Sequence, residues 1–401
     1  MQRKKLMIGL FGFGVVGEGV YKVLQQTPSL QATIKKVCIR NPDKKRNAPA
    51  DLFTTDKDIL LQDPDINIIV EVIDDATAAY NIVRTALLNG KAVVSASKKM
   101  IAEHLPALLA LQESSGLPFL YEAAACASIP VIRNLEEYYD NDLLRSVHGI
   151  VNGSTNYILT KIFEEQLSFD EALKQAQQLG FAESDPTLDI EGYDAVNKWI
   201  IILAHAYGII TDQNNVLFDG ISRITLEDSQ VAAQKGFTIK LLAQANKLKD
   251  GTVAAFVLPQ FVELNDPLAF IKNEYNGIVI ESAFADKQFF YGKGAGSFPT
   301  ASAVLSDIGA MRYEYRYEYK KLYHQKPDVL SDDFKLRVYI SFNEWTDVKH
   351  QEFESIEEWH ATANRKYLVG IIAFKKLKES DWWKSPNVSL ILMPHALAKD
   401  S

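Results

Sequence analysis

Asp194 and Lys198 stand four residues apart in a segment, Gly192 to Tyr207, whose spacing predicts a helix, so both project from one face. On a solvated face such a pair is an ordinary ion pair of roughly a few tenths of a kcal/mol. Here Trp199-Ile200-Ile201-Ile202-Leu203-Ala204 follows at once, so the helix is apolar nearly all round and belongs inside. A buried lysine is costly unless its charge is used. The loop in front of the helix, Gly180 to Glu191, is acidic, with Glu183, Asp185 and Asp189. Carboxylates beside a lysine can hold an amino group and manage a proton. A second lysine, Lys98, ends the polar run Ser95-Ala96-Ser97-Lys98-Lys99 after an apolar strand, where open α/β sheets bind ligands. The bland alternative for Lys98 is a strand-end lysine reaching for water.

Gly12-Phe13-Gly14-Val15-Val16-Gly17 follows the first strand and opens a helix. Its glycines allow a tight turn and a close backbone approach, so a pyrophosphate can sit on the helix N-terminus. At the end of the second strand, where an acid usually meets an NAD ribose, the chain has Val37-Cys38-Ile39-Arg40-Asn41, with Lys44, Lys45 and Arg46 behind. Arg40 suits a 2′-phosphate, so NADP is preferred and NAD is the alternative; a solvated basic loop is the other reading.

These residues need an α/β frame. Apolar runs at Leu6–Phe11, Thr33–Arg40, Ile66–Ile73, Ala92–Ser97 and Phe119–Ala123 alternate with helical patterns at Thr77–Asn89 and Ala102–Ser115, closed by Gly90 and Gly116. The expected fold class is a Rossmann-type doubly wound parallel sheet. It is joined by an α+β domain with strands Ser146–Val151, Thr252–Leu258 and Gly277–Phe284 and helices Tyr157–Glu165, Phe169–Gln178 and Gly192–Tyr207. After a tyrosine-rich connector, Tyr313–Tyr323, a small C-terminal α+β appendage reads as strand Lys335–Phe342, helix Ile356–Arg365, strand Tyr367–Phe374 and strand Val388–Met393. The domains expected are 1–145 for the dinucleotide, 146–290 for substrate and dimerisation, 291–320 as the return segment and 321–401 as the appendage.

Composition excludes several classes. A formal net charge of −8, with basic residues dispersed, makes nucleic acid a poor partner. Cys38 and Cys126, in apolar or small-residue surroundings, fit a reducing, cytoplasmic setting without a disulfide. Met1 to Val16 imitates a secretory leader, but Gly9, Gly12 and Gly14 interrupt the apolar stretch and no cleavage site follows. No apolar run is long enough to span a membrane.

Taken in order, the Gly12 loop, Ile69-Val70-Glu71, Ser95 to Lys98, Tyr121-Glu122-Ala123-Ala124, Asn152-Gly153-Ser154-Thr155-Asn156-Tyr157-Ile158-Leu159, Gly180 to Lys198 and Gly294-Ala295-Gly296-Ser297-Phe298-Pro299-Thr300-Ala301 resemble the homoserine dehydrogenase family over about Leu6 to Arg312. The resemblance implies interconversion of aspartate semialdehyde and homoserine by hydride transfer. It implies that Lys98 and Lys198 are the active-site lysines, that Glu183 and Asp194 hold the amino acid, and that Asp189 supports them. It places the cofactor against Gly12, Phe13, Gly14, Val15, Val16, Gly17, Arg40, Thr77, Ser97, Lys98, Gly180, Gly294 and Gly296. Glu122 with the carbonyls of Ala125, Ala127 and Ile129 matches a structural monovalent cation site, such as one for Na+. A homodimer or higher oligomer is implied, as is an amino-acid-sensing tail of the ACT type, diverged here, with threonine as its effector. With no kinase-like stretch before the Gly12 loop, the chain resembles the single-activity form. Three departures stand out. Asp74-Asp75 replaces a glycine pair, where it would either weaken phosphate binding or cap the next helix; Ser97 replaces an asparagine; and Cys126-Ala127-Ser128 replaces a glycine-rich turn.

Overall fold

The computed structural model describes residues 5–140, 143–324, 326–361 and 365–397. The chain divides into two compact units, one of Met1–Asp140, Ile200–Asp212 and Lys293–Gln325, the other of Asn141–Trp199, Gln213–Gly292 and Lys326–Ser401.

In the first unit, β1 (Leu6–Phe11), β2 (Ala32–Cys38), β3 (Phe53–Thr54), β4 (Ile68–Glu71), β5 (Ala92–Ser95) and β6 (Phe119–Leu120) form a six-stranded sheet in the order β3-β2-β1-β4-β5-β6. Every pairing is parallel. β4 and β5 are buried at every position, the continuous apolar pattern of a sheet covered on both faces. The order reverses between β1 and β4, and ligands of such sheets bind outside the strand ends at that point. The helices of this unit are α1 (Val15–Gln26), α2 (Asp58–Leu61), α3 (Ala76–Leu88), α4 (Lys98–Ser115), α5 (Ala123–Cys126) and α6 (Val131–Glu137).

Most boundaries in this unit fall within two residues of expectation, and three elements differ for physical reasons. The helix expected from Ala102 begins at Lys98, because Met100 and Ile101 are fully buried and extend its apolar stripe toward the N-terminus. The strand expected over Phe119–Ala123 stops at Leu120, because Glu122 already has helical backbone angles and leads into α5. β3 was not expected, and two residues give no periodicity to read. Tyr317 and Tyr319 of the connector are buried; Glu136 bonds His205 at 2.6 Å, and the Tyr121 hydroxyl meets His205 at 2.9 Å and also the Tyr319 hydroxyl.

The second unit holds β7 (Leu144–Ile150), α7 (Gly153–Glu165), α8 (Phe169–Gln178), α9 (Thr187–Ile190), the start of α10 (Tyr193–Tyr207), β8 (Leu217–Phe218), α11 (Leu226–Gln234), β9 (Phe237–Lys247), β10 (Val253–Glu263), β11 (Tyr275–Ser282) and β12 (Asp286–Lys293). Ser168 and Glu171 make the expected capping box of α8. α12 (Ser297–Ala310) and α13 (Lys320–Tyr323) belong to the first unit.

The tail has β13 (Lys335–Phe342), β14 (Phe353–Ala361), β15 (Lys366–Ala373), α14 (Phe374–Glu379) and β16 (Val388–Leu397). Its strands continue the sheet of the second unit in the order β12-β11-β7-β9-β10-β16-β13-β15-β14, with β8 beside β10. Phe256 and Leu258 of β10 share one apolar core with Val338, Phe374, Trp383 and Leu390 of the tail. The expected helix Ile356–Arg365 is a correction: through Ala361 it is edge strand β14, while residues 362–364 lie outside the described residues. Irregular pairing between Phe353 and Ser355 and between Ile356 and Glu358 breaks the two-residue alternation that marks a strand.

Candidate active site

The Gly12 turn depends on its glycines. Gly12 has φ +96°, and a Cβ there would lie 2.9 Å from the Val72 carbonyl oxygen; one on Gly17 would lie 2.2 Å from the Gly12 oxygen. Gly14 is the N-cap of α1, with no side-chain bond onto the first turn and nothing within 4 Å of where a Cβ would point. The result is a backbone cradle at a helix N-terminus, the donor set that a dinucleotide pyrophosphate requires. Phe13 is buried against Tyr21 and Phe53, whereas Val15 is 68% exposed. Val16 lies in the first turn of α1.

Arg40 is exposed just after β2, and beside it Ile39, Lys44, Arg46 and Phe53 help line a cleft of about 470 Å³. Arg46 is partly committed, donating at 2.6 Å to the carbonyls of Lys44 and Asn41. Asp75 caps α3 by accepting the Ala78 N–H at 2.9 Å, which places exposed Thr77 in that helix's first turn. The acid pair is thus at least half explained: Asp75 is a helix cap.

Lys98 is the first residue of α4 and is half-buried, with Ser97 at the N-cap. A cation at a helix N-terminus meets the unfavourable end of the macrodipole, so local preference does not explain the placement. Two residues that the sequence reading named only within motifs, without a role, are bonded to the loop that leads to it. Ser95 donates to Glu71 at 2.6 Å, and the Ser97 N–H donates to the Ser95 hydroxyl at 3.1 Å. Gly296, φ +112°, caps α12, and Gly294 is buried just before it. Gly19 was also missed. A Cβ there would sit 2.6 Å from Ser297 Oγ, so only glycine lets α1 and α12 close, and the Ser297 hydroxyl then donates to the Val15 carbonyl at 2.8 Å.

In the second unit Lys198 Nζ is 2.7 Å from Asp194 Oδ2 and donates to the Val151 carbonyl at 2.8 Å. Both Asp194 and Lys198 are 6% exposed. The Asn152 amide donates to Asp189 Oδ1 at 2.7 Å and to Asp194 Oδ2 at 2.8 Å, while its own oxygen caps α7 by accepting the Thr155 N–H at 2.8 Å. Burial first, then the nearby Asp194 charge, pushes the Asp189 pKa up. Asp189, Asp194 and Lys198 are therefore brought together, with Asn152 as the organiser, a role that sequence did not assign. Glu183 is exposed on the loop between α8 and α9, and Gly180, φ +76°, follows the C-terminus of α8. Two carboxylates and one lysine therefore meet here, and the Asp194 charge disfavours ionisation of Asp189.

Glu122 is buried and accepts the N–H groups of Ile132 at 2.9 Å and Arg133 at 2.8 Å. Burial, reinforced by Asp307, raises its pKa to about 8. Asp307 is itself held by Arg133 at 2.7 Å. Ala127 adopts φ +44°, the left-handed region that a side chain resists, in the turn between α5 and α6 where Ile129 also lies, while Ala125 is in α5. No cluster of three or more His, Cys, Asp or Glu side chains fit for a metal occurs among the described residues. Among them also, no helix is long and apolar enough to cross a membrane.

Comparison with known proteins agrees with this geometry. A family model described as the NAD binding domain of homoserine dehydrogenase matches residues 12–122, and one described as homoserine dehydrogenase matches residues 130–308. The homoserine dehydrogenase of Bacillus subtilis is 34% identical over 380 residues, covering 88% of this chain and 87% of that protein. That of Synechocystis sp. is 38% identical over 311 residues, covering 75% and 72%. A solved homoserine dehydrogenase from Thiobacillus denitrificans aligns with a TM-score of 0.85 at 27% identity, covering 97% of this chain and 98% of that one. A parallel dinucleotide sheet, a mixed-sheet second unit and relatives matched over most of their length lead to one assignment: the chain belongs to the homoserine dehydrogenase family and is an oxidoreductase interconverting L-aspartate 4-semialdehyde and L-homoserine.

Proposed function

We propose that Asp194, Asp189 and Lys198 form the substrate end of the site, that Glu183 also holds the amino acid, and that Lys98 with Ser97 forms the cofactor end. The observation that carries this is the buried Lys198. An ammonium has three donors; one goes to Asp194 and one to the Val151 carbonyl, which leaves a third for a substrate oxygen. Asp189 and Asp194 then take the substrate ammonium, which relieves the repulsion between them. Reduced nicotinamide, when bound, supplies the hydride. Lys98 and Lys198 stabilise the alkoxide that hydride transfer leaves and return a proton to it at Nζ. An aldehyde without the amino group would leave both carboxylates uncompensated, which is the basis of specificity.

The cofactor preferred is NADP, supported by Arg40 with Lys44 and Arg46 beside it, and it is held through the glycine cradle Gly12 to Gly17, Thr77, Gly180, Gly294 and Gly296. A monovalent cation at Glu122 and the carbonyls of Ala125, Ala127 and Ile129 fits an all-oxygen donor set with one carboxylate, and its charge would offset the burial that raises the Glu122 pKa. Residues 1–145 with 291–320 serve the dinucleotide and 146–290 serve substrate and assembly. Exposed Phe270 and Phe284 support a homodimer or higher oligomer through the latter. A cytoplasmic setting fits Cys38 and Cys126, which form no disulfide. Residues 321–401 are the sensing appendage, with threonine as effector; a threonine titration that leaves the rate flat removes that part.

The test is homoserine-dependent reduction of NADP and of NAD by the wild type and by Lys98→Ala and Lys198→Ala. Activity that favours NADP and collapses in both variants is expected. A variant that keeps the wild-type rate removes that lysine from the mechanism.

A further inference from the structure

Glu71 ends β4 completely buried, and its carboxylate reaches two different loops. Oε1 accepts the Ile73 N–H at 2.7 Å, in the loop that runs from β4 to α3. Oε2 accepts the hydroxyl of Ser95 at 2.6 Å, and Ser95 ends the neighbouring strand β5 directly opposite Glu71 in register. The Ser95 oxygen in turn accepts the Ser97 N–H at 3.1 Å, in the loop that runs from β5 to α4. A hydroxyl has one proton to give. With the Ser97 N–H on its oxygen, that proton goes to Glu71, so the chain has a single direction: Ser97 N–H to Ser95 O–H to carboxylate. Bonds polarised in one sense strengthen one another.

No cation pairs with Glu71 in any contact described. Burial pushes its pKa up to about 7, the charge of Asp74 acting in the same direction and the bonds from Ser95 and Ile73 opposing it. A well-packed apolar residue would escape that penalty, so stability alone does not account for a carboxylic acid at this position. Placement does. One loop leads to the cap Asp75 and to Thr77, and the other carries Ser97 and leads to Lys98 at the start of α4.

We propose that Glu71 and Ser95 are positioning residues for the cofactor end of the site: one buried carboxylate, working through one hydroxyl, ties together the two strand-end loops that present Thr77, Ser97 and Lys98 to the dinucleotide. This rests on the reading above that Ser97 and Lys98 face the cofactor. The tie explains why a serine ends β5 and an acid ends β4 inside an otherwise apolar parallel sheet. It also explains why neither residue needs to touch a ligand.

The variants separate the two arms. Ser95→Ala cuts only the Ser97 arm. Glu71→Gln offers one acceptor oxygen and one amino group to two incoming donors, so one arm is opposed. Ser95→Thr keeps the hydroxyl. Amide exchange in the cofactor-free protein, followed by mass spectrometry, should show faster exchange for Ser95→Ala in the peptide with Ser97 and unchanged exchange in the peptide with Ile73. Calorimetric titration with NADP should give a Kd about tenfold weaker, on the scale of one charge-assisted bond's worth of positioning. The kcat should fall, the homoserine KM should stay within about twofold, and Ser95→Thr should recover most of both losses. Wild-type exchange at Ser97 in Ser95→Ala overturns the tie, as does faster exchange with an unchanged Kd and kcat, which is a structural bond and nothing more. If Ser95→Ala does not fold, the same exchange and Kd measurements on Glu71→Gln decide. Lys98→Ala, run alongside, distinguishes the failures. If it is inactive while Ser95→Ala behaves as wild type, only the tie is wrong; if it retains turnover, the assignment of Lys98 beneath the proposal is wrong.

Discussion

Replacing Asn152 by aspartate changes almost nothing in shape and inverts one function. The Asn152 oxygen caps α7 at 2.8 Å from the Thr155 N–H, and an aspartate oxygen caps as well. Its amino group donates to Asp189 and Asp194 at 2.7 and 2.8 Å, and in Asn152→Asp an oxygen faces both. Each bond to a charged group is worth about 1.5–3 kcal/mol, so about 3–6 kcal/mol of support for the carboxylate pair is lost before repulsion is counted. Three carboxylates, two of them buried, around one lysine resist full ionisation, so the cluster takes up a proton and the pKa of the group that binds it rises. The homoserine KM should therefore rise at least about 100-fold at pH 8, equivalent to about 3 kcal/mol. The deficit should shrink as pH falls, because protonation restores a donor where the amide was. Steady-state rates at saturating NADP across pH 6 to 9 measure both effects, and thermal denaturation should show a loss of stability at pH 8 that narrows as pH falls, the surviving α7 cap keeping the fold itself intact. A KM within twofold of wild type at pH 8 would refute the claim that the substrate ammonium is bound by the carboxylates that Asn152 holds together.

Three other outcomes follow from the same contacts. Glu71 has a folded pKa raised from 4.5 to about 7, so its contribution to stability is fully present below pH 4.5 and is lost as pH rises through 7. Relative to wild type, Glu71→Gln should gain about 3 kcal/mol between pH 4.5 and 8, read by urea denaturation; a pH-independent difference would mean that the carboxyl is not buried as described. Arg40→Ala should raise the NADP KM about tenfold in low salt and leave the NAD KM alone, since an exposed guanidinium binds a phosphate through screened charge. Equal effects on the two cofactors would remove Arg40 from 2′-phosphate recognition. Gly19→Ala forces a methyl to within 2.7 Å of both Ser297 oxygens and should cost about 1–3 kcal/mol by calorimetry; no loss would mean that α1 and α12 are free to separate.

The parallel sheet was readable from the chain because its strands are short apolar runs set off by glycine caps, and that pattern has few other solutions. Leu6–Phe11 appears with the boundaries expected, and the crossover to α3 closes at Gly90 as expected. The tail was less readable. β14 sits at the sheet edge, paired with β15 alone, so it has one partner and little burial to impose alternation on its sequence. Its glutamates, good helix formers, are instead used across the sheet: Glu354 pairs with Lys335 at 2.6 Å, Glu357 with Arg337 at 2.7 Å and Glu358 with Lys235 at 2.8 Å. Ile356 and Trp359 mimic a helical stripe but are both exposed.

The candidate site divides along the same line, between side chains that act by their type and side chains that act by their partner. Lys98, Lys198, Asp189 and Asp194 are conspicuous because charge in apolar surroundings is improbable, and a four-residue spacing is enough to put Asp194 and Lys198 on one face. Asn152, Ser95 and Glu71 are not conspicuous. An asparagine before a helix reads as a cap, which Asn152 is, and nothing local shows that its amino group reaches Asp189 and Asp194, 37 and 42 residues further on. Ser95 and Glu71 are 24 residues apart, brought into register only by the pairing of β4 with β5. Sequence spacing can place groups on one element, but a bond between the ends of two parallel strands exists only once the sheet has formed. The polar residues that position the lysines and acids are therefore the ones that a linear reading is least able to find, and the fold is what makes them functional.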